Sequence, residues 1–95
     1  MTADELLEIL KIRLDAPHVL VQDDSAKHRG HAGSQRGAGH FKAEIVSPLF
    51  KGLAPVERHR LVFQTIAQEM DREIHALSLK LYSPEEWLSS HEGRV

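Results

Sequence analysis

The apolar positions near the start of the chain recur with the period of a helix. Four leucines recur at helical spacing and give one apolar face: Leu6, Leu7, Leu10 and Leu14. Thr2 and Glu5 have the spacing of a capping box, which predicts that the helix begins beside Thr2. Pro17 ends the helix, because the residue before a proline disfavours helical dihedral angles.

Three further runs have the period of two that is typical of strands. They cover residues 18–22, 41–47 and 74–82. In the third run Leu77, Leu79 and Leu81 share one face, and the same period places His75 on that face. The pattern therefore predicts three strands, each with one buried side.

A longer helical pattern lies between the second and third strands. Pro55 suits the first helical residue, because its missing N–H would have no partner there. The apolar stripe that follows predicts a helix of about five turns, and it comprises Val56, Val62, Phe63, Ile66, Ala67 and Met70. Residues 48–54, which precede this helix, are predicted to form a turn or a short helix.

The chain is predicted to close on a short helix. Ser83 and Glu86 repeat the capping-box spacing, with Pro84 in the first turn. The helix then runs through Trp87, and a tail is expected over about residues 89–95.

The order of the elements places distant histidines at one end of the sheet. The first two strands are expected to be antiparallel, and the second and third, joined through a helix, are expected to be parallel with a right-handed crossover. A long glycine-rich loop over about residues 24–39 ends where the second strand begins. Parallel strands begin at the same end, so we expect His75 near the loop that carries His28 and His31. His59 is expected toward the opposite end.

Composition adds the candidate chemistry. The 95 residues fit a single domain over 1–95, and they include no cysteine and seven histidines. Disulfides and thiolate ligation by this chain alone are therefore excluded, whereas imidazole is the commonest metal ligand. The net charge of −2 is unlike that of most nucleic-acid-binding domains. No apolar run approaches the ~20 residues of a membrane span. Because acidic residues lie near the start, a cytoplasmic protein or a mature organellar form is expected.

Several short motifs together resemble the BolA family, in the branch with a histidine in its loop. They occur in family-like order over almost the whole chain: Ser25-Ala26-Lys27-His28, Gly30-His31-Ala32-Gly33, His40-Phe41-Lys42, Phe50-Lys51-Gly52, Arg58-His59-Arg60, His75-Ala76-Leu77 and Ser83-Pro84-Glu85-Glu86-Trp87. The resemblance implies an α+β fold similar to class II KH domains. That fold has the order αββααβ, a three-stranded mixed sheet with helices packed on one face, and a short C-terminal helix.

The resemblance also implies a partner and a shared cofactor. BolA-like proteins pair with monothiol glutaredoxins of the CGFS type in a heterodimer, and the pair holds a bridging [2Fe–2S] cluster with glutathione. The family's two ligands fall on His75 and His28, with His31 as a rival for His28, and His40 is interpreted as a structural or supporting residue. The implied function is iron–sulfur cluster assembly or trafficking without enzymatic activity. The isolated chain is expected to hold no cofactor and to be a monomer or a weak homodimer.

Two other functions are compatible with the sequence. BolA-like proteins are also linked to transcription in stress response and cell morphology, and the basic cluster at the start of the long helix is the candidate DNA contact. It consists of Arg58, His59 and Arg60, although an ordinary polar helix face is the simplest explanation of these residues. An enzyme with a three-histidine zinc site would use His28, His31 and His75, but no general base is evident near them in sequence.

Overall fold

The described part of the chain contains four helices, three strands and one short 3-10 turn. A computed structural model of the protein describes residues 1–25, 39–70 and 72–92, without the side chains of residues 91 and 92. In chain order the elements are α1 (Ala3–Arg13), β1 (His18–Asp23), β2 (Gly39–Val46), the 3-10 turn (Pro48–Phe50), α2 (Pro55–Thr65), α3 (Ala67–Met70), β3 (Ile74–Tyr82) and α4 (Pro84–Glu92). The expected αββααβ order, followed by a closing helix, is confirmed.

β2 is the central strand of the sheet, between β1 and β3. β1 pairs with it in the antiparallel sense and β3 in the parallel sense, as the element order predicts. Val19 and Leu81 both lie opposite Ile45, so alternate side chains of the three strands form common rows. The predicted α+β class with a mixed three-stranded sheet is therefore confirmed.

One face of the sheet carries the hydrophobic core. Phe41, Ala43 and Ile45 of β2 are at most 3% exposed. They belong to one buried cluster with residues of the helices, namely Leu6, Leu10, Leu14, Val62 and Ile66. The opposite face, called the outer face below, is exposed at Leu20 and Lys80. The main helix layer thus packs on one side of the sheet, as the resemblance implies.

At one end of the outer face, α4 makes a contact of its own. Trp87 stacks on His18 with 4.6 Å between ring centroids and meets Tyr82 edge-on at 5.4 Å. His18 and Tyr82 both lie opposite Val46 in the sheet, and Val46 is only 2% exposed. The indole therefore covers the row of the sheet that is farthest from the start of β2.

The single long helix predicted between β2 and β3 is wrong, because the helix is interrupted. α2 ends at Thr65, and α3 follows after Ile66. The Thr65 carbonyl accepts a hydrogen bond from Arg13 Nη1 of α1 at 3.0 Å. In a continuous helix the amide of Glu69 would bond to that carbonyl, but it bonds to Ile66 instead. Arg13 of α1 thus donates to the carbonyl that the Glu69 amide would use in a continuous helix.

Two members of the predicted apolar stripe, Val56 and Ala67, are exposed, so the prediction of a buried position is wrong for both. Val56 is 63% exposed, whereas Val62 is fully buried. Val56 lies in the first turn of α2, before the part of the helix that packs on the core. The prediction that Val56 belongs to the core is therefore wrong.

Both predicted capping boxes are formed. In α1 the amide of Glu5 donates to Thr2 Oγ1 and the amide of Thr2 donates to Glu5 Oε1. The same reciprocal bonds join Ser83 and Glu86 at the start of α4. The predicted tail is wrong in part, because α4 continues beyond Trp87 and residues 89–92 are helical.

Candidate metal-ligating site

His75 lies at the start of β3, but on the face opposite to the predicted one. Gly39 pairs with Ile74 and His40 pairs with Ala76, so one step along β2 faces two steps along β3. His75 is the extra residue. Ile74 takes the core-facing position and is 1% exposed, while His75 is exposed. The prediction that His75 shares the face of the β3 leucines is wrong, because the period of two does not continue through a bulge.

The bulge brings the ring of His75 beside the ring of His40. The two ring centroids are 4.8 Å apart and the ring planes are inclined by 52°. His40 precedes Phe41, which faces the core and is 2% exposed, so His40 points to the outer face. Two imidazoles from neighbouring strands therefore meet there, His40 half-buried and His75 exposed.

Hydrogen bonds to the backbone fix the strand ends around this pair. The amide of Asp24 donates to the carbonyl of His40 at 2.7 Å, and the amide of Gly39 donates to the carbonyl of Glu73 at 3.0 Å. The amide of His40 donates to the hydroxyl of Ser25 at 3.1 Å. Residues that directly adjoin β1 and β3 therefore fix the backbone around His40.

Gly39 allows β2 to begin close to a core ring. A Cβ at this position would overlap Cε2 and Cζ of Phe41. Because Phe41 is buried, its ring has little freedom to move away. The close approach explains why a glycine stands directly before His40.

Acidic side chains lie at the same end of the sheet. Asp24 is 6% exposed and forms an ion pair with Lys42 at 3.4 Å. Asp23 is exposed, and hydrogen bonds from the side chain and the amide of Ser25 hold its pKa below the ordinary value. Two carboxylates thus adjoin the point where the chain leaves β1.

The predicted loop histidines, His28 and His31, lie outside the described residues, and so does most of the loop. The residues that flank the loop are described at both ends. Ser25, two residues after the end of β1, accepts a hydrogen bond from the amide of His40 near the start of β2. The loop therefore starts and ends at the same end of the sheet as His75, as the topology predicts.

Within the described part of the chain, no group of three or more histidine, aspartate or glutamate side chains is arranged to hold a metal ion. The three-histidine zinc site considered from the sequence includes His28 and His31. It therefore stays a prediction.

Arg58, the first residue of the predicted DNA-contacting cluster, is largely internal. Its side chain is 11% exposed. Its guanidinium donates to the carbonyls of Leu53 (2.9 Å) and Leu81 (3.4 Å). Two further hydrogen bonds join it to the carboxylate of Glu86. The side chain thus links α2 to β3 and α4 rather than extending into solvent.

The other two members of the cluster, His59 and Arg60, are exposed. His59 Nδ1 lies 2.9 Å from the carbonyl of Pro55, one turn earlier in α2. The neighbouring Arg58 reaches Leu81 near the end of β3. The cluster therefore lies toward the opposite end of the sheet from His75, as expected.

Sequence reasoning did not identify the contact between His40 and His75. The sequence nevertheless contains a signal for this contact. Because Phe41 faces the core, His40 must face outward, and parallel pairing brings the start of β3 beside it. The contact was missed because the period of two predicted the opposite face for His75.

The small α+β domain, with its paired histidines at the start of two parallel strands, matches one known family. The family model described as BolA-like protein matches residues 10–86. The chain therefore belongs to the BolA-like protein family.

Individual relatives agree with this assignment. The chain is 40% identical over 77 residues to a "DNA-binding transcriptional regulator BolA" of Haemophilus influenzae, which covers 80% of this chain and 72% of that protein. It is 37% identical over 87 residues to "Protein BOLA1, chloroplastic" of Arabidopsis thaliana, covering 88% of this chain and 54% of that protein. A crystal structure of a BolA-like protein from Babesia bovis superposes with a TM-score of 0.77 and 32% identity, covering 95% and 93% of the two chains.

The names of these relatives describe a regulator and BolA proteins rather than enzymes. One of them is named as chloroplastic, so the family includes organellar forms. Across the described ranges, no helix is long and apolar enough to cross a membrane.

Proposed function

We propose that this protein acts in iron–sulfur cluster assembly or trafficking as the partner of a monothiol CGFS glutaredoxin. In this proposal His75 and one loop histidine, His28 or its rival His31, contribute imidazole ligands to a [2Fe–2S] cluster. The glutaredoxin cysteine and glutathione contribute the sulfur ligands. The observation that carries the proposal is the outward turn of His75 at the β3 bulge.

The position of His75 suits a ligand that a second protein must reach. An imidazole on the core face would be closed off by the helices. The bulge instead leaves His75 exposed on the face without the main helix layer. Its two neighbours, Ile74 and Ala76, are both paired with β2, which favours a defined ligand geometry.

The covalent chain supports a loop histidine as the second ligand. Ser25 is held beside His40 at the same end of the sheet as His75. Three residues of chain span at most about 10 Å, so the backbone of His28 is tethered within that distance of Ser25. The backbone of His31 can lie up to twice as far from Ser25, because twice as many residues separate the two. The shorter tether favours His28, because loop closure costs less entropy when fewer residues are involved.

The ligand types explain why a partner is needed. Iron–sulfur clusters are generally held by thiolates, although two histidines can replace two cysteines on one iron. This chain has no cysteine. It can therefore offer imidazoles but must obtain the sulfur ligands from another molecule.

The first test is anaerobic reconstitution of the mixed complex. The chain, a CGFS glutaredoxin, glutathione, ferric iron and sulfide are expected to give one cluster per heterodimer. Its visible and circular dichroism spectra should differ from those of the glutaredoxin homodimer, because imidazole nitrogen replaces thiolate sulfur on one iron. Size-exclusion chromatography checks the stoichiometry. Spectra identical to those of the homodimer, with this chain eluting separately, would reject the proposal.

A DNA-binding regulator is the second candidate, and it is supported by the name of the Haemophilus influenzae relative. The exposed Arg60 and His59 are the members of the cluster that are open to a phosphate backbone. Arg58 would support them indirectly, by fixing the position of α2.

For this second function, Arg60→Gln is expected to weaken binding to duplex DNA about equally for all sequences. The slope of the logarithm of affinity against the logarithm of salt concentration should fall by about one, because one phosphate contact is lost. Fluorescence anisotropy at several salt concentrations measures this slope. Lys11→Gln, an exposed residue of α1, is the matched control. Salt-independent binding, or an equal effect of both variants, would contradict the function.

A further inference from the structure

The paired imidazoles of His40 and His75 point to a metal site that needs no ligand from a second protein. We propose that these two side chains together bind a first-row divalent cation of the zinc or nickel type in the isolated chain. This proposal differs from the cluster function above because its second ligand comes from β2 rather than from the loop. It also needs no glutaredoxin.

The geometry of the two rings fits a shared cation. The centroids are 4.8 Å apart. Two imidazoles that bind one zinc ion at ~2.0–2.1 Å in tetrahedral geometry have ring centres about 5 Å apart. The inclination of 52° also matters. Parallel stacked rings hold their nitrogen lone pairs side by side, whereas inclined rings allow two lone pairs to converge.

The site is supported by rigid backbone on both strands. His40 is held by hydrogen bonds to Asp24 and Ser25, and its neighbour Gly39 bonds to Glu73. Gly39 is in turn packed against the ring of Phe41. Two ligands that are already in place lose little conformational entropy when a cation binds.

Two acidic residues lie at the same end of the sheet as the paired imidazoles. Asp23 is exposed and Asp24 adjoins His40 through its backbone hydrogen bond. Lys42, two residues after His40 in β2, is paired with Asp24. The remaining coordination positions would be taken by water, as in other sites with few protein ligands.

Borderline metals suit this ligand set best. Imidazole binds zinc, copper and nickel well, whereas magnesium and calcium prefer oxygen ligands. The site should therefore discriminate strongly between zinc and magnesium. This selectivity separates a true imidazole site from general attraction of cations to Asp23 and Asp24.

The experiment is isothermal titration calorimetry of the untagged chain with Zn²⁺ alone, repeated with Ni²⁺ and Mg²⁺. The unmodified chain is expected to bind one Zn²⁺ or Ni²⁺ and no Mg²⁺. His40→Gln and His75→Gln should each weaken binding at least about tenfold, because each removes one of two ligands. His59→Gln, an exposed histidine near the opposite end of the sheet, is the matched control and should bind as the unmodified chain does.

The loop histidines provide the decisive comparison. The double variant His28→Gln/His31→Gln is expected to lose less affinity than His40→Gln. A larger loss in the double variant would overturn the proposal, because the loop rather than β2 would then supply the second ligand. Failure of the unmodified chain to bind Zn²⁺ would overturn it as well.

A measurement on the unmodified protein removes any dependence on how the variants fold. Long-range proton–nitrogen correlation spectra report the imidazole nitrogens directly during Zn²⁺ titration. We expect one nitrogen each of His40 and His75 to shift, with the His59 and His18 signals unchanged. A shift confined to His75 would contradict the two-imidazole site. None of these results depends on glutaredoxin, so failure here and failure of the cluster function are separate outcomes.

Discussion

Replacing His75 with alanine is expected to leave the mixed glutaredoxin complex unable to retain its cluster. Among the proposed cluster ligands, the exposed imidazole at the β3 bulge is the one whose position the structure describes. Removal of a ligand leaves an iron with an open position that water or a chelator can attack. We expect the lifetime of the cluster under a chelator to fall at least about tenfold. Visible absorbance after mixing with the chelator measures it.

The substitution should act through ligation rather than through folding. His75 is exposed, so its loss creates no cavity in the core. His75→Cys is expected to restore a long-lived cluster with a changed spectrum, because thiolate is the usual ligand. His59→Ala should have no effect. A cluster that is equally long-lived in His75→Ala would show that the ligand assignment is wrong.

Replacing Arg58 with methionine is expected to produce the largest loss of stability among the polar residues of the fold. The guanidinium joins α2 to two other elements through Leu53, Leu81 and Glu86. Methionine keeps much of the volume but leaves two carbonyls without this donor and Glu86 without its cation. We expect the free energy of unfolding to fall by about 2–3 kcal/mol. Urea denaturation followed by circular dichroism measures the change.

The same ion pair gives the stability a defined dependence on pH. Hydrogen bonds from Arg58, together with the Ser83 amide, lower the pKa of Glu86 from 4.5 to about 2. A carboxylate with a lowered pKa in the folded state stabilises the fold above its unfolded pKa. That contribution is lost as the pH falls from about 4.5 toward 2. The loss between these values should be smaller in Arg58→Met than in the unmodified protein.

A neighbouring ion pair provides the control for Arg58. Lys51 and Glu85 lie 2.9 Å apart, but both side chains are about 70% exposed. Glu85→Gln should therefore cost less than about 0.5 kcal/mol. If Arg58→Met costs no more than Glu85→Gln, the internal role of Arg58 is wrong.

Local patterns predicted the elements and their topology well. The capping residues Thr2 and Ser83 mark the true starts of α1 and α4. The strand periods gave β3 its observed bounds, Ile74–Tyr82. The expected parallel pairing of β2 and β3 then placed His75 at the loop end of the sheet, because parallel strands begin together.

Three of the features that sequence reasoning missed depend on contacts between distant residues. Arg13 donates to the Thr65 carbonyl across 52 positions of sequence, and this contact lies at the break between α2 and α3. The internal position of Arg58 depends on its contact with Glu86, which comes close to it only in the folded chain. The bulge that turns His75 outward depends on which residue of β3 fills the core position, and the period of two cannot show that.

The parallel pairing of β2 and β3 has a consequence for the order of events in folding. Gly39 and Ile74, which pair at the histidine end, are 35 positions apart in sequence. Contacts of this kind form only after a long segment has been closed into a loop. Until then His40 and His75 are separated along the chain, and no partial structure built from local contacts brings them together. Joint binding of a metal by His40 and His75, as proposed, would therefore require that β2 and β3 have already paired.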